Sequence, residues 1–137
     1  MGVENVVFKS VGVDYTNKPE AAHRHQERAF RRARESIRIV ETRTPEMGGL
    51  EEAVKRGCFV EVVVGPRLDA YSLWSLTKLG VAVHELEQPP TQRFAVIDGR
   101  HIILHKQTEQ YILHNDKDAP EFSDRFVFLK RQARAVY

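Results

Sequence analysis

The segment 89–106 (PPTQRFAVIDGRHIILHK) contains the side chains best suited to bind an anion. Arg93 lies just before an apolar run that ends at the turn pair Asp98-Gly99. An arginine guanidinium binds phosphate or carboxylate through two parallel hydrogen bonds, so Arg93 is a candidate ligand contact. Asp98 is expected to order the hairpin turn and to orient its neighbours.

The histidines do not have the spacing of a metal site. His23 and His25 are two residues apart in a predicted helix and point to different faces. His101 and His105 share a strand face but lie about 13 Å apart, at roughly 3.3 Å per residue. The sequence also has no G-x-G-x-x-G, P-loop or G-x-S-x-G motif. We therefore expect no metal and no cofactor.

Four arginines (Arg24, Arg28, Arg31 and Arg32) cluster in the predicted helix 20–36. One interpretation is a surface that contacts a nucleic-acid backbone. The other is a solvated face, because Glu27 and Glu35 lie within pairing distance of Arg31 at four residues along a helix. Few aromatic residues are interleaved to stack on bases, which favours the solvated face.

Composition limits the class of protein. The chain has 137 residues, 42% hydrophobic and 29% charged, with a formal net charge of +2. These values are typical of one globular domain, which we predict to span residues 1–137. We expect no signal peptide, transmembrane helix or membrane partner. The single cysteine, Cys58, is predicted to be a core residue in a reducing, cytoplasmic environment.

Apolar runs of strand length alternate with segments of helical periodicity. Predicted strands span 6–13, 37–42, 59–64, 81–86, 94–97, 102–105 and 111–114. Predicted helices span 20–36, 46–56, 69–79 and 121–136, and 14–19 is predicted as a turn. The alternation predicts an α/β fold with a mixed, mainly parallel sheet flanked by helices.

The order of these elements resembles one half of a phospholipase D-like domain. The helix and strand of 50–66, the helix and strand of 71–86, and the hairpin around Asp98 carry the resemblance. The family signature is H-x-K-x4-D, whereas this chain reads T-x-R-x4-D from Thr91 through Arg93 to Asp98. The resemblance implies that Thr91 replaces the nucleophilic histidine and Arg93 replaces the phosphate-binding lysine.

The resemblance implies a non-catalytic module that binds an anionic ligand or has a regulatory role. The anion pocket is expected near Thr91, Gln92 and Arg93, with His84 or Lys106 beside it. Asp98 is also predicted as a ligand-binding residue. Similar domains without the signature occur as effector-sensing parts of archaeal regulators of the TrmB type. Active members need two signatures per site, so a single half is expected to form a homodimer. Two alternatives stay open, namely a divergent phosphodiesterase or nuclease that uses His84, His101 or His105, and a nucleic-acid-binding protein that uses the helix 20–36.

Overall fold

The structure is a computed structural model. It describes residues 8–10, 13–42, 48–105, 111–114 and 116–136, and it describes side chains for 16–42, 48–105 and 117–136. The strands are β1 (Phe8–Ser10), β2 (Val13–Thr16), β3 (Ser36–Glu41), β4 (Phe59–Val64), β5 (Ala82–Glu85), β6 (Arg93–Ile97), β7 (His101–His105), β8 (Tyr111–His114) and β9 (Arg134–Val136). The helices are α1 (Pro19–Arg32), α2 (Leu50–Lys55), α3 (Ala70–Leu79) and α4 (Ala119–Gln132).

The described strands form one mixed sheet in the order β1-β2-β8-β7-β6-β3-β4-β5-β9. The α/β class is confirmed, but the expectation of a mainly parallel sheet is wrong. Only the β3–β4 and β4–β5 pairs are parallel, and the six other described pairs are antiparallel. Parallel neighbours need a crossover connection, and only β3, β4 and β5 are joined to one another through the helices α2 and α3.

Helices cover both faces of this sheet. The core on one face joins α1, α2 and α3 to the sheet through side chains that include Phe30, Leu50 and Leu76. The core on the other face joins α4 to the sheet through Phe122 and Phe126. Because successive side chains of a strand point to opposite faces, each central strand contributes to both cores.

Several local predictions are confirmed. The strand predicted at 59–64 has the bounds of β4, which lies between two parallel neighbours and is buried at every position after Phe59. The Asp69 side chain accepts a hydrogen bond from the backbone N–H of Ser72 and caps α3. Asp98 and Gly99 both have positive φ, as a type I′ hairpin turn requires. Cys58 is buried in the core, as predicted.

The predicted helix 20–36 is too long, because α1 ends at Arg32. The Arg56 guanidinium donates hydrogen bonds to the carbonyl oxygens of Phe30 and Ala33, at 3.1 and 2.7 Å. Those carbonyls lie at the end of α1, where a helix has no internal partners for them. A side chain from the adjoining helix therefore stabilises the end of α1.

The helix predicted at 46–56 begins later among the described residues, at Leu50. Its N-cap Gly49 has φ 86° and cannot be part of a right-handed helix. A Cβ at this position would lie 2.8 Å from the carbonyl oxygen of Glu27 and 2.9 Å from Phe30 Cβ. Only glycine allows this close contact between α1 and α2.

Both ends of the described chain differ from prediction. Of the strand predicted at 6–13, residues 6–7 and 11–12 lie outside the described residues, while 8–10 form β1 and Val13 begins β2. β2 continues to Thr16 and pairs antiparallel with β1, so the first part of the turn predicted at 14–19 is strand instead. The helix predicted at 121–136 ends at Gln132, and β9 follows it. β9 pairs with β5, and Arg134 lies 3.1 Å from Glu85 across that pair. Sheet pairing therefore overrides the helical periodicity at Val136.

Candidate functional site

The main candidate site is a cavity of about 400 Å³ between the N-terminal half of α1 and the sheet. We call it the Arg93 cavity. Its polar lining residues are Glu20, His23, Arg24, Gln26, Glu41, Arg93 and His105. It lies where β3 and β7 end and β6 begins. The lining combines two guanidiniums, two carboxylates and two imidazoles.

Strand alternation places Arg93 in this cavity. Phe94 and Val96 of β6 belong to the core beneath α4, whereas Ala95 and Ile97 belong to the core beneath α1. Arg93 follows the second set and faces α1. Its direct partner across the β6–β7 pair is His105, so both side chains lie next to each other on the same sheet face.

An ion pair orients Arg93. Its Nε donates to Glu41 Oε1 at 2.6 Å, and the Glu41 side chain is only 15% exposed. Among the described residues, Glu41 is the one hydrogen-bond or ion-pair partner of Arg93. Arginine carries five N–H donors in a planar fork, so the terminal nitrogens stay available to the cavity.

Thr91 and Gln92 lie in a different cavity from Arg93. Both line a space of about 780 Å³ against α4, on the opposite side of the sheet. The Gln92 side-chain oxygen accepts a hydrogen bond from Arg125 of α4. The structure therefore divides the predicted pocket of Thr91, Gln92 and Arg93 between two faces of the sheet. Lys106, the other predicted member, lies outside the described residues.

Asp98 lies at the far end of β6 from Arg93. Its Oδ1 accepts hydrogen bonds from the backbone N–H groups of Glu35 (2.8 Å), Ser36 (3.1 Å) and Arg34 (3.1 Å). Burial raises the pKa of Asp98, but these three bonds outweigh burial and lower the pKa below its usual value. The carboxylate therefore connects the hairpin turn to the start of β3. Asp98 does not line the Arg93 cavity, so the structure separates it from Arg93, another predicted ligand-binding residue.

His84 lies beneath α4, away from the Arg93 cavity. Its Nε2 is 3.6 Å from Glu61 Oε1, and Glu61 also contacts Lys130 of α4 and Arg38 of β3. Burial and the nearby Lys130 lower the pKa of His84, although Glu61 opposes them. The sequence analysis missed Glu61, which is only 1% exposed. Its signal was a single acidic residue inside the apolar run FVEVVV.

All four arginines of α1 are exposed, and their spacing of three or four residues places them along one side of the helix. Arg24 lines the Arg93 cavity, whereas Arg28 and Arg32 line a separate cavity near the β6–β7 turn. Arg31 lies 2.7 Å from Glu27 and 3.9 Å from Glu52. The predicted pairing of Arg31 with Glu27 is therefore confirmed.

Two further properties concern the described residues alone. They contain no group of three or more histidine, cysteine or acidic side chains placed to hold a metal ion. None of their helices is both long enough and apolar enough to cross a lipid bilayer.

Comparison with known proteins identifies the fold as phospholipase D-like. No protein-family model and no curated protein matches the sequence. The solved structure of Nuc from Salmonella typhimurium, a phospholipase D family member, is similar with a TM-score of 0.71 and 19% identity, over 89% of this chain and 94% of that one. NucT from Helicobacter pylori is similar with a TM-score of 0.70 and 12% identity, over 85% and 92%.

A third similar structure is TrmBL2, described as an archaeal chromatin protein with a novel mode of DNA binding. The TM-score is 0.76 and the identity 14%, over 91% of this chain. This chain corresponds to 53% of the TrmBL2 chain, about half its length. At these identities the similarity establishes the fold and no shared activity.

Proposed function

We propose that this chain is a non-catalytic phospholipase D-like module that binds a phosphate-containing anion in the Arg93 cavity. The observation that carries the proposal is the Arg93–His105 pair on adjacent strands, with Arg93 oriented by Glu41. His23 and Arg24 approach the same space from α1. A guanidinium with free terminal N–H groups next to imidazoles matches the oxygens of a phosphate.

The cavity also contains negative charge. Glu41 is paired with Arg93, and Glu20 lies at the N-terminus of α1. With neutral histidines, the two arginines and two glutamates of the lining balance. A bound dianion therefore depends on hydrogen-bond geometry more than on net charge.

A titration of the full chain with inorganic phosphate, followed by 15N–1H NMR, tests the proposal. Amide signals of Ala95 and Ile103 should shift together and define one Kd. The Arg93→Ala variant should weaken that Kd about tenfold, as expected for the loss of a charge-assisted hydrogen-bond pair. Arg125→Ala is the matched control, because Arg125 is paired with Glu121 on the other face. An unchanged Kd in Arg93→Ala would refute the anion pocket.

A second candidate function is phosphodiester hydrolysis, favoured by the presence of His23 and His105 in the same cavity. In this scheme the His105 imidazole attacks phosphorus, and the departing alkoxide takes a proton from His23. Water then cleaves the phosphohistidine and releases phosphate monoester. Turnover of bis-p-nitrophenyl phosphate that His105→Ala abolishes would support the enzyme over the binding module. Unchanged turnover in His105→Ala, or none in wild type, would reject this scheme.

Nucleic acid is a further candidate ligand, since TrmBL2 has a similar fold and is described as binding DNA. Backbone binding releases counterions, so affinity for an oligonucleotide should fall steeply with salt. Fluorescence anisotropy between about 50 and 200 mM salt measures this dependence. An affinity for the oligonucleotide that does not change with salt would exclude binding to the nucleic-acid backbone.

We further propose that residues 1–137 form one domain that works as a cytoplasmic homodimer. One chain contributes one Arg93, and a two-fold dimer would contribute a second Arg93 from the other copy. Sedimentation velocity on the full chain tests the dimer, and a monomer at micromolar concentration would refute it.

A further inference from the structure

A second basic cavity, of about 470 Å³, lies between the C-terminal half of α1 and the β6–β7 hairpin. We call it the His25–His101 cavity. Its polar lining residues are His25, Arg28, Arg32, Asp98 and His101. Its apolar lining residues are Ala29, Ala33 and Ile97. It is separated from the Arg93 cavity by the length of β7, which is about 13 Å from His101 to His105.

Two arginines supply positive charge to this cavity. Arg28 and Arg32 are one turn apart on α1 and both are exposed. Neither has an ion pair or a hydrogen-bonded side-chain partner among the described residues. Arg31, between them in sequence, is instead paired with Glu27 at 2.7 Å. Two guanidiniums that are unpaired among the described residues thus line this cavity.

Two histidines from different elements meet at the same place. His25 Nε2 of α1 lies 3.4 Å from His101 Nε2 of β7, and the ring centroids are 5.6 Å apart. A hydrogen bond between two such nitrogens needs one that carries a proton and one that does not. An oxyanion beside this histidine pair and next to the arginines would accept from N–H groups of both kinds of side chain.

The carboxylate in the cavity lining, that of Asp98, is not ion-paired with Arg28 or Arg32. Asp98 accepts three backbone N–H groups of residues 34–36, and it has no ion pair within 4.0 Å to Arg28 or Arg32. With neutral histidines the cavity has a formal charge of +1, from two arginines and one aspartate. A metal cation is disfavoured by the arginines, and the described residues offer no set of three metal ligands there.

We propose that the His25–His101 cavity is a second anion site, which binds the phosphate group of a phosphomonoester. Arg28 and Arg32 would bind its oxygens, and one imidazole N–H would donate to a third. A terminal phosphate fits better than a carboxylate because it offers three oxygens in a tripod to donors from two sides. This site is independent of the function proposed for the Arg93 cavity.

The same NMR titration resolves the two sites, because each has its own amide signals. With inorganic phosphate, the amides of Ala29, Ala33 and Gly99 should shift with a Kd distinct from that at Ala95. Glycerol phosphate should give the same shifts if a phosphomonoester fits, and shifts with inorganic phosphate alone would overturn that part of the proposal. Acetate at matched ionic strength should bind at least tenfold more weakly.

Three variants decide the assignment. Arg28→Ala and Arg32→Ala should each weaken the Kd at Ala29 about tenfold and leave the Kd at Ala95 unchanged. Arg31→Ala is the matched control on the same helix and should leave both constants unchanged. Equal weakening by Arg31→Ala would mean that only general positive charge matters. That result, or the absence of shifts at Ala29 and Gly99, would overturn the proposal.

Discussion

Replacement of Asp98 tests how the β6–β7 turn is held against the rest of the fold. Its carboxylate accepts the backbone N–H groups of Arg34, Glu35 and Ser36, at 2.8 to 3.1 Å through Oδ1. In the other direction, the Asp98 N–H donates to the Ser36 carbonyl oxygen at 2.8 Å. One side chain therefore joins the start of β3 to a turn more than sixty residues later in sequence.

The magnitude of the effect follows from these contacts. Arg34 and Glu35 are exposed, so water replaces their lost acceptor and each bond contributes about 0.5–1 kcal/mol. Ser36 is half-buried, and its bond to a charged acceptor contributes about 1.5 kcal/mol. Asp98→Gly, which tolerates the φ of 56° at this position, should therefore lower the free energy of unfolding by about 2.5–3.5 kcal/mol. Asp98→Ala adds about 1 kcal/mol of left-handed backbone strain.

Urea denaturation of wild type, Asp98→Gly and Asp98→Ala at pH 7 measures these differences. In thermal unfolding, Tm should fall by about 3–4 °C for each kcal/mol of lost stability. Asp98→Asn keeps one acceptor oxygen and the left-handed preference, so it should lose only about 1–2 kcal/mol. If Asp98→Gly is within about 0.5 kcal/mol of wild type, the carboxylate does not stabilise the junction and the reasoning fails.

The pH dependence gives a second check on Asp98. Because the folded pKa lies below the unfolded value of about 3.9, the stabilisation is complete above that value. It is lost as the pH falls through the folded pKa. The difference between wild type and Asp98→Asn should therefore shrink between pH 5 and pH 2, and a constant difference would contradict the assignment.

Three further predictions concern contacts elsewhere in the fold, each measured as the free energy of unfolding in urea. Arg56→Met should cost about 1–3 kcal/mol by removing the hydrogen bonds to the end of α1, whereas the exposed control Lys55→Met should change stability by less than about 0.5 kcal/mol. Glu61→Ala should cost about 3–5 kcal/mol because it leaves cations facing each other beneath α4, and a loss below about 1 kcal/mol would contradict this. Burial lowers the pKa of His84, so the folded state binds fewer protons than the unfolded state and wild type should lose stability as the pH falls from 7 to 5. His84→Gln should lose less stability over this range, and an equal pH dependence of the two proteins would contradict this.

The sequence predicted those elements whose signals are local. The apolar run 59–64, the Asp69 cap and the Asp98-Gly99 turn each specify a backbone conformation through neighbouring residues. The direction of strand pairing has no such local signal. The hydrophobic pattern of β3 is compatible with either direction, and its antiparallel partner β6 is more than fifty residues away. The same reason explains why β9 was missed, since it forms by pairing with β5.

The candidate site was predicted in part. Arg93 was recognised from its chemistry and lies in a cavity, but the contact of Glu41 with it depends on the β3–β6 pairing. Thr91 was grouped with Arg93 by sequence distance, although the loop before β6 carries Thr91 to the α4 face. The meeting of His25 with His101 requires knowledge of how α1 lies over β7. Such contacts between distant elements are not encoded in the spacing of either segment alone.

The contact at Gly49 has a consequence for ligand access. A Cβ at position 49 would lie 2.8 Å from the carbonyl oxygen of Glu27 and 2.9 Å from Phe30 Cβ, in the C-terminal half of α1. A larger residue there would force α1 and α2 apart. Because the same half of α1 lines the His25–His101 cavity, we expect a substitution at position 49 to change the width of that cavity without altering any residue that lines it.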